Sequence, residues 1–293
     1  MSNEITTARS VQYRSGIDIL LQQKHSRFMP TVRVESLVGK KGAFDRIGAT
    51  AAVKRTTRHG DTPLIETPHD RRWVFGAYYE WADLIDDADK LQMLSDPTSP
   101  YVMNAVMALN RSTDDAIIAA LYADATTGED ADGTASFDSN NVVAVTVGNG
   151  GSGNVGLNAA KLKQARKILR ANEVDQEEDL FCAISAEQFE ELLNDDEIIN
   201  RDYSLVNKLD EGEIVKFMGF HFVASERLPT DGNDYRRVPV WAKSGMLLAR
   251  RKGVTAKVTE RADKSYSTQV YAAMDIGAVR MEEGKVVEIK CAE

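Results

Sequence analysis

At 293 residues the chain is long enough to bury a substantial core, as one elaborated domain or two smaller ones. A composition of 43% hydrophobic and 28% charged residues excludes gross disorder. With 36 basic and 45 acidic residues the net charge is -9, which argues against a dedicated nucleic-acid binder driven by counterion release but leaves room for a local basic face.

No apolar run approaches the roughly 20 residues of a membrane span. The start, "MSNEITTARSVQYRS", lacks the basic-then-apolar order of a secretory signal, so intracellular synthesis is expected and the Asn110-Arg111-Ser112 sequon is read as chance. The two cysteines are Cys182 and Cys291. Cys182 lies inside the apolar "LFCAIS", which predicts a buried free thiol and not a bridge partner.

In chain order, the first 40 residues are polar and mixed except for "GIDILLQQKHSRF", an amphipathic piece that predicts a short helix lying on something else. "FDRIGATAAVKRTT", from Phe44 to Thr57, reads as a weak strand. "RRWVFGAYYEW" reads as a strong one, because Trp73, Phe75, Ala77, Tyr79 and Trp81 alternate with other residues at a period of two. Between them, "RHGDTPLIETPHD" carries the glycine and prolines of a hairpin tip, so a long hairpin projecting from the body is expected.

"LIDDADKLQMLSDPTSPYVMNAVMALNRSTDDAIIAALYADA" is the longest helical signal. Ser99 suits the N-cap and Pro100 the first helical position, and Val102, Val106, Leu109, Thr113, Ile117 and Leu121 form one apolar stripe. To about Asp124 the helix would be roughly 38 Å long, a spine for the fold. "TTGEDADGTASFDSNN" reads as a loop, Val142 to Val147 as a strand, and a glycine cluster follows. A helix from near Leu157 points Leu162, Ala165, Ile168 and Leu169 inward and leaves Lys161, Lys163, Arg166, Lys167 and Arg170 largely outside. That basic face has two readings, a solvated surface or a surface meeting an acidic partner such as "NEVDQEED" or "ELLNDDE" of a neighbouring subunit. "LFCAIS" reads as a buried strand, "AEQFEELLND" as a short helix and "EIVKFMGFHFVAS" as a strand or hairpin with Gly219. "VPVWAKSGMLLAR", "VTAKVTER", "STQVYAAMDIGAVRM" and "KVVEIKC" supply the closing β segments, with Glu283-Gly284 as a turn.

The motifs that would carry catalysis fail on context. Gly148, Gly150 and Gly153 have G-x-G-x-x-G spacing, but the acidic residues from Glu173 to Asp179 precede the next strand, whereas a ribose-binding carboxylate would end it. Gly156 also comes before the helix can start, so the cluster is read as a connector and a nucleotide-dependent oxidoreductase as the weakest alternative. No lysine and hydroxyl residue follow the glycines as in a P-loop, and no G-x-S-x-G elbow is present. Asp83, Asp86, Asp87 and Asp89 lack the rest of an EF-hand and are read as a solvated helix face. His25, His59, His69 and His221 show no zinc spacing. No catalytic, cofactor or metal residue is assigned, and no enzyme is expected.

The order of these parts, with "VQYRSGIDILLQQKHSRF", "TRHGDTPLIETPHDRRW", "EWADLIDDADKLQMLSDPTSPY", "KFMGFHFVASERLP", "VWAKSGMLLA" and "DIGAVRMEEGKVVEIKC", resembles the major capsid proteins of tailed bacteriophages with the Hong Kong 97-type fold, especially a family of short-tailed phages. The resemblance implies an α+β fold: an N-arm over 1–40, an E-loop hairpin over 41–82, a peripheral domain with the spine helix over 83–154, an axial α/β domain over 155–250, and C-terminal β segments over 251–293 that return to the peripheral domain. It implies a shell of hexamers and pentamers around double-stranded DNA contacted non-specifically, and assembly in the host bacterial cytoplasm without a membrane. Partners would be a separate scaffolding protein, since no fused one is visible, and a portal protein, with a decoration protein left open. An encapsulin-like compartment is the alternative on the same fold. Intersubunit contact candidates are Arg58, His59, Asp61, Arg71, Arg72, Trp73 and Phe75. Tyr79 and Trp81 serve either as interface anchors or as packing for the chain's own spine helix.

Overall fold

A computed structural model describes residues 20–58, 60–86, 98–148, 153–195 and 216–293. In chain order the elements are β1 (Arg33–Ser36), β2 (Lys41–Ile47), β3 (His69–Phe75), β4 (Ala77–Ile85), α1 (Thr98–Tyr122), β5 (Ala125–Thr127), β6 (Gly133–Ala135), β7 (Val142–Val143), α2 (Ala159–Ala171), β8 (Leu180–Ile184), α3 (Ala186–Leu193), β9 (Lys216–Phe217), β10 (Phe220–Ala224), β11 (Arg236–Ala242), β12 (Met246–Arg261), β13 (Ser267–Arg280) and β14 (Val286–Cys291). The fold is mixed α+β. Two compact units share the described residues: the smaller holds 20–25, 78–86, 98–112 and 252–275, and the larger holds 26–58, 60–77, 113–148, 153–195, 216–251 and 276–293.

The larger unit contains a six-stranded mixed sheet of order β7-β14-β11-β8-β10-β9. The apolar stretches of its central strands are buried, with Cys182, Val238, Val240, Trp241, Val287 and Ile289 almost without exposure. Trp241 stacks between Phe28 and Phe181 at centroid distances of 5.6 and 5.9 Å, and its indole nitrogen donates to the Thr31 carbonyl at 3.1 Å. β9 and β10 form a tight hairpin across Met218 and Gly219, whose φ angles of 51° and 85° are those a two-residue hairpin turn requires. α3 opens with a capping box in which Ser185 and Gln188 satisfy each other's backbone amides.

A second sheet of the larger unit has the order β2-β3-β5-β6, with β2 and β3 antiparallel from Lys41↔Phe75 to Ile47↔His69. It covers a core of Leu37, Val74, Ala125, Leu247, Ala249, Val279 and Met281, with Phe44 against it. β1 pairs in parallel with the start of β12, Arg33↔Leu247 to Ser36↔Arg250. In the smaller unit the later part of β12, the earlier part of β13 and β4 lie side by side in that order. The Tyr78 and Tyr271 hydroxyls there are 3.0 Å apart.

The spine helix is present as α1. Its buried residues include Leu109, Thr113, Ile117 and Leu121 of the expected stripe, whereas Val102 and Val106 are half-buried and Ala105, outside that stripe, is fully buried. Asp114 is fully buried and accepts hydrogen bonds from the Ser26 hydroxyl (2.5 Å) and the amides of Arg27 (3.0 Å) and Phe28 (3.2 Å), fastening the incoming chain to the helix.

Several local expectations are corrected. Residues 20–28 form no helix, and Leu20 and Leu21 are exposed, while 16–19 lie outside the described residues. The weak strand from Phe44 to Thr57 stops at Ile47. The strand expected through Trp81 is two strands separated at Gly76, with the chain passing from one unit to the other. Asp83 stands in β4 and not on a helix, and Asp87 and Asp89 are outside the described residues. The Gly/Asp-rich loop after α1 contains the small β5–β6 hairpin, and the strand from Val142 ends at Val143. "MLLAR" and "VTAKVTER" merge into the single strand β12. Lys161 points inward from α2 and is fully buried.

Candidate functional site

The β2–β3 hairpin gathers most of the residues singled out for contact. Alternation along its two strands creates two faces of opposite character. Phe44, Arg46, Arg72 and Val74 face inward, and Lys41, Asp45, Arg71, Trp73 and Phe75 face outward.

On the inner face Arg72 is fully buried beside Val74. Its guanidinium donates to Glu283 at 2.7 Å and to the Met281 carbonyl at 3.3 Å. Arg46 also reaches the Met281 carbonyl and pairs with Asp70. Arg280, equally buried, donates to the carbonyls of Leu121 (3.0 Å), Ala123 (2.9 Å) and Ala135 (3.1 Å), placing a cation on the C-terminal dipole of α1. Its guanidinium is also 4.0 Å from Glu283. Glu283 thus ties the hairpin root to the segment that follows β13. Burial pushes the pKa of both Arg72 and Arg280 down, and the Glu283 carboxylate acts against it. Asp70 is pushed up by burial, but bonds from Thr127, Arg46 and the Arg71 amide outweigh this and hold it at about 2. Backbones also approach closely here, since a Cβ on Gly277 would fall 2.2 Å from the Phe75 carbonyl oxygen.

On the outer face the Trp73 indole donates to the Gly128 carbonyl at 2.8 Å, and its ring lies beneath Lys41 Nζ at 4.2 Å and Arg71 at 5.7 Å. Arg71 pairs with Asp45 at 2.6 Å. An open cavity of about 390 Å³ is lined by Asp45, His69, Asp70, Arg71, Gly128 and Glu129. Phe75 is 50% exposed, whereas Tyr79 and Trp81 are half-buried in β4 of the smaller unit.

Residues 48–68 join the two strands. Every described residue among them is exposed, including Arg58, Asp61, Val53, Leu64 and Ile65, with Leu64 at 97%. His59 lies outside the described residues. The contact candidates therefore divide: Arg58 and Asp61 on the loop, Arg71, Trp73 and Phe75 on the outer root, Arg72 inside. Sequence reading missed Arg46, Arg280 and Glu283. The available signal was the shared parity of Arg72 with Val74, which puts both on one face of the strand.

The glycine cluster leads to a site of a different kind. Gly150 lies outside the described residues, but the start of α2 is described. Asn158 caps it by accepting from the Lys161 amide at 2.9 Å. The Asp195 carboxylate takes the Ala159 amide at 2.8 Å, and Glu191 takes the Leu157 amide at 2.6 Å. Carboxylates of the same chain hold the donors that a pyrophosphate would need, and their charge repels it. Lys161 Nζ is turned to the carbonyls of Val155 (2.6 Å) and Lys290 (2.7 Å). Burial raises the Cys182 thiol well above its ordinary range and the Cys291 thiol to about 12, so neither forms a nucleophilic thiolate at neutral pH. Among the described residues no group of histidine, cysteine and carboxylate side chains is placed to hold a metal ion.

Comparison with known proteins agrees with a structural role. The family model described as phage capsid protein matches residues 5–293. Curated protein sequences give no match. Among solved structures, the capsid of cyanophage P-SCSP1u has a TM-score of 0.76 at 17% identity, over 100% of this chain and 97% of that one. The head of Helicobacter pylori bacteriophage KHP40 gives 0.75 at 12% identity, over 99% and 98%. Mycobacterium phage Che8 gives 0.72 at 15% identity, over 96% and 97%. At these identities the likeness is one of fold, and it is the Hong Kong 97-type fold anticipated from the sequence. Neither the compartment shell nor the oxidoreductase gains support from the family or these structures. With a family model spanning nearly its whole length, the chain belongs to the phage capsid protein family: it is a structural protein of a bacteriophage virion shell and not an enzyme.

Proposed function

We propose that this major capsid protein assembles through hexamers and pentamers into an icosahedral shell around double-stranded DNA, with a separate scaffolding protein and a portal protein, in the host bacterial cytoplasm. Within it, residues 1–40 act as an N-arm and 41–82 as an E-loop, 83–154 and 251–293 build the peripheral domain, and 155–250 build the axial domain. The DNA is contacted without sequence preference, in keeping with the net charge of -9.

One observation carries the E-loop assignment. The hairpin root is locked into its own chain through Arg72 and Glu283, while the described residues of 48–68 are exposed, with Val53, Leu64 and Ile65 uncovered. A projecting loop with uncovered apolar side chains gains by covering another surface. In a shell that surface is the neighbouring subunit, against which Arg58, His59 and Asp61 lie, with Arg71, Trp73 and Phe75 at the edge of the contact. Arg72 serves the contact indirectly by fixing the root.

Deletion of residues 60–68, closed by a short glycine linker, tests this. Loop shortening alters closure entropy only modestly. The variant should remain folded and soluble by circular dichroism while electron microscopy and light scattering find particles rare or fragile. Normal, equally stable particles would refute the clasp.

A further inference from the structure

We propose that the outward face of α2 docks a second copy of this chain, and that it receives the acidic segment 173–179 of that copy. The inference rests on the capsid reading above, because it requires copies held side by side.

The helix sequence AAKLKQARKILRA contains cations and no carboxylate. Lys161 is committed to the interior. Lys163 and Lys167 form one like-charge pair at i,i+4, and Arg166 and Arg170 form another, an arrangement that destabilises a helix. Burial lowers the Arg166 pKa, and the Arg170 charge adds to the effect. The two lysines rim a shallow groove of about 530 Å³ whose other lining residues are Ala160, Gln164, Ile168 and Ala171. The groove thus has a partly apolar floor and a cationic rim, which suits a carboxylate-bearing chain better than water alone.

Directly after the helix, "NEVDQEED" carries Glu173, Asp175, Glu177, Glu178 and Asp179 with no cation among them. Glu178 is anchored inward by the Ser244 amide at 2.6 Å. Glu173, Asp175, Glu177 and Asp179 stay exposed. The chain therefore presents both a cationic groove and its acidic complement, so a head-to-tail contact repeats from copy to copy and closes a ring. Packaged DNA is the other polyanion in a capsid, but the acidic segment adjoins the basic helix and repels the same phosphates.

Charge reversal in particles tests the proposal. With wild-type particles forming, K167E/R170E should lower particle yield roughly tenfold, since a weakened contact recurs at every copy, and E173K/E177K should do the same. Combining all four substitutions should restore most of the yield. Raising salt from about 0.1 to 1 M should shrink the difference between wild type and either double variant. Wild-type yield from both double variants, or no recovery in the combination of variants shown to be folded by circular dichroism, would overturn it. So would normal yield with loss of packaged DNA from K167E/R170E, which would assign the face to DNA. Failure of the wild-type chain to form any particle would instead refute the shell assembly itself.

Discussion

The root of the β2–β3 hairpin and the loop it carries use similar charged residues to opposite effect. Arg72 at the root is fully buried, held by a carboxylate and a carbonyl, and its own strand supplies Val74 to the core. Arg58 on the loop is exposed and stands among uncovered apolar residues. A buried guanidinium is tolerated only where fixed acceptors replace water, so the root depends on its partners within the chain. The described residues of the loop are all exposed, and their bonds are as local as that from Arg55 to the Thr57 carbonyl, so changes there should affect the stability of one subunit little. On the assembly reading proposed above, one hairpin divides its labour between fold at its root and contact at its loop.

The sharpest way to break the root is to remove its carboxylate. Glu283→Ala leaves Arg72 and Arg280 buried without that counter-charge and should cost about 3 kcal/mol, read as a lower denaturation midpoint, with R72M in the same chain recovering most of the loss. Next, Gly277→Ala forces a Cβ against the Phe75 carbonyl, which cannot move without shifting the strand, and should cost about 2 kcal/mol. Trp73→Ala removes the bond to Gly128 and the stacking of Lys41 but leaves the inner face intact, so about 1 to 2 kcal/mol is expected by the same measurement. Acid should loosen the root as well. The folded pKa of Asp70 is depressed to about 2 from an ordinary 3.8, so its stabilisation is present above about pH 4 and is lost as pH falls through 2. Protection of the β2 and β3 amides against hydrogen exchange, taken relative to the intrinsic rate at each pH, should fall over that window. Smallest of all, Val53→Ser with Leu64→Ser on the loop should change subunit stability by no more than about 0.5 kcal/mol.

Much of this organisation was legible in the sequence, though not which face of a strand is buried. The stripe on α1 was readable from Leu109 to Leu121, where burial follows its four-residue repeat, but one turn earlier the buried residue is Ala105 and not Val106. The aromatic alternation from Trp73 to Trp81 identified β structure but did not show that Arg72, named beside Arg71 as a contact candidate, lies on the buried face of β3. What draws it inward is Glu283 and the Met281 carbonyl, more than two hundred positions away. Lys161 was hidden for the same reason, since its acceptors at Val155 and Lys290 come from separate parts of the chain. The order of strand and acidic residues was the sequence's reason for setting the glycine cluster aside. Only the structure supplies the second reason, the Asp195 and Glu191 carboxylates already holding the amides at the start of α2.

Hydrogen exchange across residues 48–68, compared between unassembled subunits and intact particles, tests the central claim most directly. If the loop clasps a neighbour, its amides should exchange at nearly unprotected rates in free subunits and become strongly protected in particles, while β2 and β3 are protected in both. Equal, unprotected exchange of the loop in both states would contradict the account.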